Sequence, residues 1–339
     1  MRLPILPVAA AATLLLALPA LLVAVDSAYI GRLAQLVLIT VVLSSALNLL
    51  IGTAGLLALD TVVYYGLGAY TAAILSAATG SGFVVDVLAA IVVCSLAGVV
   101  IGYALVRLAS IFFAVATIAL AISFHTTVLN WNDLTRGPMG FRGIPPVRLF
   151  GHEVTSWLGS YFVTAVFCLV ALYIAHRLMH SFYGNAVRAV REDEECARSL
   201  GLPSRRLRVE IYTVHAAITG AAGALYAHTN QFIGPDNFLL LESALVLIAV
   251  VVGGIGSLPG AVIGALMIVL IPEMLREVGH LRALIFGLVL FLSILFVPRG
   301  LFSEVRALAW FRRLSHGPWA AGAAAAQQPS PVARREEGA

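Results

Sequence analysis

The sequence predicts an all-α polytopic membrane protein of about ten transmembrane helices, with glycine-rich helix breaks near residues 52–60 and 253–260. The 339 residues are 60% hydrophobic and only 11% charged, and the mean hydropathy is +0.97. Apolar runs long enough to cross a bilayer recur from the first residues to about position 300. The runs do not alternate apolar and polar residues, as the strands of a membrane barrel would, so helices are expected to satisfy the backbone in lipid.

We predict spans, in chain order, at residues 5–25, 33–51, 61–79, 85–107, 110–129, 157–177, 209–228, 241–256, 260–276 and 282–298. The first run follows Arg2 as a secretory signal would, but it is long enough to span and no clean small-x-small cleavage site follows it, so we interpret it as a span. The run at 241–256 leaves two possibilities open. It either crosses the membrane or dips into it and returns, and the second case would change the side on which the C-terminus lies.

The arginines predict the orientation, because all 21 basic residues are arginine. With the N-terminus inside, fifteen arginines face the cytoplasm and six face the outside. Both termini and the charged segment 184–208 are therefore predicted to be cytoplasmic. Arginine at membrane borders also accounts for the net charge of +4 without a nucleic-acid partner. We divide the chain into a transmembrane domain, 1–302, and a cytoplasmic tail, 303–339, whose last part is predicted to be disordered.

The charged segment has the signals of a short helix. Asn185 is a candidate N-cap, Gly201 suits the left-handed position after a C-terminus, and Pro203 prevents continuation. Three i,i+4 charge pairs are expected to support the helix, namely Arg188–Glu192, Arg191–Glu195 and Glu194–Arg198. The segment is either a solvated helix that joins two spans or a docking helix for a cytoplasmic partner.

The stretch "ECARSLG", residues 195–201, favours the docking interpretation. It resembles the EAA-x3-G pattern of ABC-importer permeases, in which a short cytoplasmic helix sits in a groove of the ATPase. Glu195, Ala197 and Gly201 match that pattern, and Cys196 departs from it by replacing one small residue with another. Within the loop 179–208, the resemblance implies an ATPase-coupling set of Arg191, Glu194, Glu195, Ala197 and Gly201.

Several further stretches carry a more specific resemblance. They are "LNLLIGTAGLLALD" (47–60), "GLGAYTAAIL" (66–75), "FFAVATIALA" (112–121), "TRGPMGFRGIP" (135–145), "GALYAH" (223–228), "GPDNFLLLESALVLIAVVVGGIGSLPGAVIGAL" (234–266), "IPEMLR" (271–276) and "FVPRGL" (296–301). In order and spacing they resemble the LivM-type permease subunit of branched-chain amino-acid ABC importers, over about residues 30–302. These motifs discriminate poorly among cargoes, because permeases for urea and short amides look similar.

The resemblance implies a division of labour in a bacterial inner membrane. A periplasmic binding protein delivers the small-molecule substrate, this chain and a second, LivH-like permease form the path, and two cytoplasmic ATPases drive transport. The absence of lysine agrees with this, because a nucleotide-binding P-loop needs a lysine that reaches the phosphates. We therefore expect nucleotide to bind to other polypeptides. The segment 184–201 is the best candidate for the surface that these polypeptides bind.

Two groups of residues are candidates for the substrate path and its helix breaks. Polar or small residues inside apolar runs form the first group: Asn48, Gly52, Gly55, Asp60, Tyr64, Tyr65, Tyr70 and Thr117. Each is either a path residue or has a structural role, which is packing or hydrogen bonding of helices for the glycines, Asn48 and Thr117, and a place in an interfacial belt for the tyrosines. The second group forms a further break or a tight turn: Gly253, Gly254, Gly256, Pro259 and Gly260. We expect Asp60 at the cytoplasmic edge of the membrane, where a carboxylate costs little, although a carboxylate that enters the membrane is a functional candidate by default.

The chain offers no sign of chemistry on its cargo. It contains no nucleophile–base constellation, no metalloprotease motif and no cysteine cluster, so we expect no catalytic residue, no metal site and no cofactor on this chain. Our interpretation is a permease for leucine, isoleucine and valine or close relatives. Alternatives are a permease of the same superfamily for urea, short amides or other amino acids, and a secondary transporter that works without ATP. Asp60 departs from the small residue typical of the resembled family, which leaves the cargo open.

Overall fold

The computed structural model describes residues 28–108, 110–149, 152–154, 156–276, 284–288 and 291. Eleven α-helices make up most of this part of the chain: α1 Ala28–Leu49, α2 Thr61–Thr79, α3 Phe83–Leu105, α4 Ser110–Asn130, α5 Asn132–Thr135, α6 Trp157–Met179, α7 Phe182–Glu192, α8 Glu194–Ser199, α9 Ser204–Asn230, α10 Leu240–Gly253 and α11 Leu258–Met274. A π-helical turn, Leu50–Ala54, extends α1, and short 3-10 turns lie at Gly137–Met139 and Pro235–Phe238. The all-α prediction is confirmed for the described residues.

Six of these segments are long and apolar enough to cross a membrane, and α11 is a shorter apolar helix. They are Tyr29–Ala54, Thr61–Thr79, Phe83–Leu105, Ser110–Asn130, Trp157–Met179 and Pro235–Gly253. The predicted span 209–228 lies inside α9 and is absent from this group, because Glu210, two histidines and several tyrosines, threonines and glycines lower its hydropathy. The predicted span 5–25 and the tail 303–339 lie outside the described residues. Of the predicted span 282–298, residues 284–288 and 291 are described, and they are helical.

The least apolar long helix, α9, lies at the centre of the bundle and packs against α1, α2 and α3. Glycines allow the close approach. A Cβ on Gly98 of α3 would lie 2.8 Å from Ala216 Cβ, and a Cβ on Gly68 of α2 would overlap the carbonyl of Gly220. Helix α9 is therefore enclosed by its neighbours, and this enclosure explains how a helix with polar residues is accommodated.

Helices α10 and α11 form a tight antiparallel hairpin. A Cβ on Gly253 or Gly264 would overlap the carbonyl of the facing residue, Gly260 and Ala249 respectively, so the helix backbones are in direct contact. The turn between the helices covers Gly254 to Ser257, and the Ser257 hydroxyl caps α11 by accepting from Gly260 N at 3.3 Å. This turn lies at the same end of the bundle as the charged segment, because Gly52 contacts both Gly256 of the turn and Arg191 of the segment.

The charged segment differs from the single helix that the sequence predicted. It forms two helices, and the first begins after Ser181, whose hydroxyl accepts from Gly184 N, while Asn185 lies inside it. Asp193 breaks the segment in extended conformation and caps α8 by accepting from Cys196 N at 2.9 Å. Placing Asn185 at the cap was therefore wrong, because a serine four residues earlier satisfies the free N–H groups of the first turn.

The opposite end of the bundle is closed by a folded loop. Two short antiparallel pairs order it: β1 Phe141–Arg142 pairs with β4 Phe232–Ile233, and β2 Arg148–Leu149 pairs with β3 His152–Glu153. Arg136 stacks over the Phe141 ring at 4.5 Å, and Arg142 stacks over Phe232 at 5.6 Å. Arg136 and Arg142 therefore have aromatic partners within the chain.

Candidate functional site

The first helix break begins where α1 widens into the π-helical turn Leu50–Ala54, a conformation that is rare and often found at functional sites. Gly55 ends the turn with φ of 68°, in the left-handed region that glycine adopts without strain. Residues 55–60 are not helical, and α2 starts at Thr61. This non-helical segment has backbone polar groups that no helix satisfies, and it lies inside an apolar bundle. Each of these groups therefore needs a hydrogen-bond partner.

Asn48 joins the first break to the turn between α10 and α11. Its amide nitrogen donates to Ser257 O at 3.0 Å, and its amide oxygen accepts from Gly256 N at 2.8 Å. The two breaks touch directly, because a Cβ on Gly52 would lie 2.7 Å from Gly256 Cα. Asn48 is fully buried, and its amide is occupied by the protein's own backbone in this conformation. Its position supports the structural alternative, a contact between helices.

The charged segment reaches this junction through Arg191, at the end of α7. The Arg191 guanidinium donates from Nη1 to Gly52 O at 2.8 Å. The same side chain lies over Gly55, where a Cβ would be 3.0 Å from Arg191 Cγ. Arg191 is therefore not paired with Glu195 as its i,i+4 spacing suggested. Instead, its charge satisfies a carbonyl that the π-helical turn leaves free.

Side chains from two other helices hold the backbone of the break. Leu59 N donates to Thr117 Oγ1 of α4 at 3.1 Å, and Val62 N donates to Ser243 Oγ of α10 at 2.9 Å. Thr117 is fully buried and also donates to Ala114 O of its own helix. The polar residue that the sequence singled out in α4 thus acts as an acceptor for the break, and the equivalent role of Ser243 was not predicted.

Asp60 lies in a buried chain of hydrogen bonds. Tyr64 OH donates to Tyr212 OH at 2.9 Å, and Tyr212 OH donates to Asp60 Oδ2. All three residues are fully enclosed, and Asp60 Oδ1 has no partner among the described residues. The expectation that the Asp60 carboxylate costs little at the membrane edge is not met, because α9 supplies Tyr212 and covers it. A buried acidic side chain linked to the start of α2 remains a candidate for function.

The other two tyrosines of the predicted path pack in an aromatic group around Phe238. Tyr65 lies 5.5 Å from the Phe238 ring and 5.3 Å from the Tyr226 ring, and Tyr70 lies 5.6 Å from Phe238. Tyr65 and Tyr70 are 8% and 4% exposed. The structure therefore places every polar or aromatic path candidate inside this chain, in three neighbouring groups around Asn48, Asp60 and Phe238.

The exposed helix surfaces differ in character. The outer face of α3 is uniformly apolar, with Val92, Leu96 and Val100 largely exposed. The rest of the chain buries as little of α4 as it does of α3, but α4 exposes the polar residues Ser123 and Thr127 near its C-terminal end. Thr127 donates to Ser123 O at 2.7 Å, so its hydroxyl proton is satisfied within the helix, and its oxygen can still accept. The outer face of α3 suits lipid, and that of α4 carries the polar groups a protein neighbour or an aqueous path can use.

Two of the remaining coupling candidates, Glu194 and Glu195, line a groove of about 900 Å³ beside the first break. Glu194 binds Arg198 at 2.6 Å and Arg208 at 3.0 Å, whereas Glu195 is exposed. The other two members of the set differ in exposure: Ala197 is buried, and Gly201 has φ of 84° with open space around it. Arg191, Glu194 and Glu195 line this groove together with Gly55 and Ile255, which belong to the two breaks.

Sequence reasoning missed a buried acid–histidine contact at the other end of the bundle. His228 Nε2 of α9 lies 3.0 Å from Asp86 Oδ2 of α3, and both residues are buried. The carboxylate also accepts from the Ser81 hydroxyl, and His228 Nδ1 lies 2.9 Å from Pro145 O in the folded loop. An acid at 86 and a histidine at 228 inside apolar runs were the available signal. The described residues contain no group of three or more metal-binding side chains.

A family model described as the permease component of the branched-chain amino acid transport system matches residues 29–298. The high-affinity branched-chain amino acid transport system permease protein LivM of Escherichia coli K12 is 32% identical over 81% of this chain and 70% of its own length. LivM of Salmonella typhimurium is 31% identical over the same shares, and LivH of that organism is 30% identical over 44% of this chain and 50% of its own length. No solved structure resembles the chain closely enough to count as a match. The similarity thus covers the helical bundle described above.

Proposed function

This chain belongs to the family of branched-chain amino acid transport permeases and is a multi-pass membrane protein of the LivM type, and on that premise we propose that it is one of two permeases in an ATP-driven importer. Its cargo in this proposal is leucine, isoleucine, valine or a close relative. A LivH-like second permease, two cytoplasmic ATPases and a periplasmic binding protein complete the assembly. Both termini of the chain and the segment 182–199 face the cytoplasm, in agreement with the distribution of arginine.

The observation that carries the proposal is the contact between Arg191 and Gly52. An importer whose nucleotide is hydrolysed on another subunit needs a rigid link from the docking surface to the moving part of the path. Helices α7 and α8 form the docking surface, and Arg191 connects them to the first helix break at 2.8 Å. Because this break also touches the turn between α10 and α11, a displacement of α7 acts on both breaks together.

In the proposed dimer of permeases, we infer that the path lies between the two subunits. A path between two subunits is lined by residues that are exposed in one chain, and Asn48, Asp60 and Thr117 are fully buried. In the conformation described here these three residues hold the break in shape, and the exposed hydroxyls of α4 face the second permease or the path. Opening of the breaks would bring Asn48 and Gly52 to the surface of the path.

Reconstitution of the complete complex tests the proposal. This chain is co-expressed with a candidate second permease, ATPases and binding protein from the same genome, and the complex is purified in mild detergent. Uptake of labelled leucine into liposomes is expected to require ATP on the side of segment 182–199, and to exceed uptake of urea and acetamide. The proposal would be contradicted if the chain purified as a homomer that transports without partners. It would also be contradicted if an ion gradient drove leucine accumulation without ATP.

A matched pair of charge reversals tests the docking surface. Glu195→Arg changes an exposed carboxylate on α8, and Asp133→Arg changes an exposed carboxylate at the opposite end of the bundle. Glu195→Arg is expected to separate ATP hydrolysis from uptake without loss of insertion, whereas Asp133→Arg leaves that coupling unchanged. Normal coupled uptake with Glu195→Arg and with a bulky substitution at Gly201 would exclude docking at α8.

A further inference from the structure

A second groove, of about 850 Å³, opens on the outer side of the bundle between α3 and α9. It lies at the end of the bundle that carries the charged segment, since Arg198 and Leu202 form part of its wall. The volume falls in the range of sites that bind small molecules. The groove adjoins the groove beside the first helix break and shares Arg198 and Arg205 with it, but none of its lining residues belongs to either break.

The walls of this groove are mostly apolar. Val99 and Tyr103 of α3 face Val209 and Val214 of α9 across it, and Val99 and Tyr103 are 46% and 58% exposed. From Arg205 to Val214 the groove follows α9 for about 14 Å, at a rise of 1.5 Å per residue. Such a surface can accommodate an extended hydrocarbon chain that runs parallel to the helices.

The mouth of the groove is basic. Its lining includes the three arginines Arg198, Arg205 and Arg206 and the single carboxylate Glu210. Arg206 binds Glu210 at 2.7 Å, and Arg198 binds Glu194 at 2.6 Å. These two arginines are therefore matched by acidic side chains of the protein.

Arg205 differs from the other two arginines because no carboxylate of the described residues pairs with it. Its Nη2 donates to Tyr103 O at 2.9 Å, and its guanidinium stacks over the Tyr103 ring at 3.7 Å. These contacts hold the planar cation at the mouth of the groove and leave most of its five N–H donors free. A fixed guanidinium with free donors binds phosphate oxygens well.

We propose that this groove binds an anionic glycerophospholipid, whose phosphate contacts Arg205 and whose acyl chain lies along Val99, Val209 and Val214. The basic mouth of the groove matches the phosphate of such a lipid, and the apolar walls match its acyl chain. A soluble phosphate would leave the apolar walls uncovered. A zwitterionic lipid would bring a cation close to Arg205, whose charge has no carboxylate partner among the described residues. Basic pockets between transmembrane helices are known to recognise lipid headgroups in this manner. The proposal does not depend on the cargo or on ATP.

Native mass spectrometry of the delipidated full chain in detergent tests the site. Phosphatidylglycerol and phosphatidylcholine with identical acyl chains are titrated in parallel. The chain is expected to bind phosphatidylglycerol about fivefold more tightly, as one arginine contact at a membrane surface supplies. Arg205→Gln removes the preference, Arg205→Lys keeps part of it, and Arg177→Gln, an exposed arginine of α6 outside the groove, leaves it unchanged.

A second variant separates the site from nonspecific charge effects. Val99→Trp fills the groove from an exposed position without disturbing the core, and it is expected to abolish binding of phosphatidylglycerol. Equal affinity for both lipids, or a preference that survives Arg205→Gln, would overturn the proposal. Displacement of the lipid by glycerol phosphate at equal concentration would identify the ligand as a soluble anion instead. A photo-crosslinker at position 99 that labels a second protein subunit rather than lipid would identify the groove as a subunit interface.

Discussion

Arg191 and Gly52 lie 139 residues apart in the chain and are joined by a hydrogen bond of 2.8 Å. The donor belongs to the charged segment outside the apolar spans, and the acceptor is a carbonyl that the π-helical turn leaves free at the end of α1. The charged segment is therefore attached to the helix break itself. This attachment is more specific than the general proximity of a connecting loop to the helices that it joins.

We expect Arg191→Ala to reduce ATP-driven uptake by about tenfold or more, because a hydrogen bond to a charged group contributes about 1.5–3 kcal/mol. The amount of inserted protein should remain unchanged, since Arg191 lies outside the apolar core. Arg188→Ala, one turn earlier on α7, is the control, because no hydrogen bond or ion pair of Arg188 occurs among the described residues. Equal uptake by both variants, normalised to permease in the liposomes, would exclude a role for the Arg191 contact.

Gly52→Val should separate the two helix breaks, because a Cβ at this position would lie 2.7 Å from the backbone of Gly256. We expect a lower unfolding temperature in detergent and loss of uptake, since neither backbone can move away without losing the Asn48 hydrogen bonds. Gly82→Ala is the control, since it has φ of −82° and open space around the added methyl group. A Gly52→Val variant with the stability of the Gly82→Ala variant would show that the breaks need not touch.

The hydrogen bond from Tyr212 to Asp60 should appear as coupling in a double-mutant cycle. Asp60→Ala leaves the buried Tyr212 hydroxyl without its acceptor and is expected to cost about 1–3 kcal/mol of unfolding free energy. Tyr212→Phe removes the hydroxyl, so the second change costs less when Asp60 is already absent. A coupling energy of about 0.5–3 kcal/mol in equilibrium unfolding is expected for residues in one hydrogen-bond network. Strictly additive costs would mean that the two side chains do not interact.

Asp60→Asn separates the structural role of this residue from a role in cargo choice. The amide has nearly the same shape and still accepts from Tyr212, so stability should change little. If Asp60 reaches the path when the break opens, relative uptake of leucine, urea and acetamide should change. Tyr64→Phe, which removes the outer hydroxyl of the same chain, serves as the comparison. An unchanged ratio among the three cargoes would assign Asp60 a structural role alone.

The buried pair of Asp86 and His228 should anchor the folded loop at the other end of the bundle. His228→Ala leaves a buried carboxylate without its partner, a change that typically costs about 3–5 kcal/mol. Because His228 also contacts Pro145 O, hydrogen exchange in residues 141–148 should increase before the helices unfold. His180→Ala is the control, since that ring is exposed. Unchanged exchange in the loop would show that the contact between Asp86 and His228 stabilises only the helices.

The sequence by itself determined the class of protein and most of its helices. Hydropathy is summed over neighbouring residues, so the predicted span 61–79 coincides with α2 and the predicted span 110–129 is one residue shorter than α4. The family resemblance rested on local motifs and was confirmed by matches along residues 29–298. Polar residues inside apolar runs, such as Asn48 and Thr117, could also be recognised as important, because a polar group in lipid needs a partner.

Only the tertiary structure determined which groups are the hydrogen-bond partners of these polar residues. A helix that is apolar on every side gives no sign of which face turns inward, so neither the burial of Asp60 by Tyr212 nor the contact of Asn48 with Gly256 could be predicted. Arg191 illustrates the same limit. Its sequence spacing favoured Glu195, but packing brought the carbonyl of Gly52 within reach. A backbone carbonyl that the π-helical turn leaves free attracts the guanidinium. Only the packed bundle determines where such a carbonyl lies.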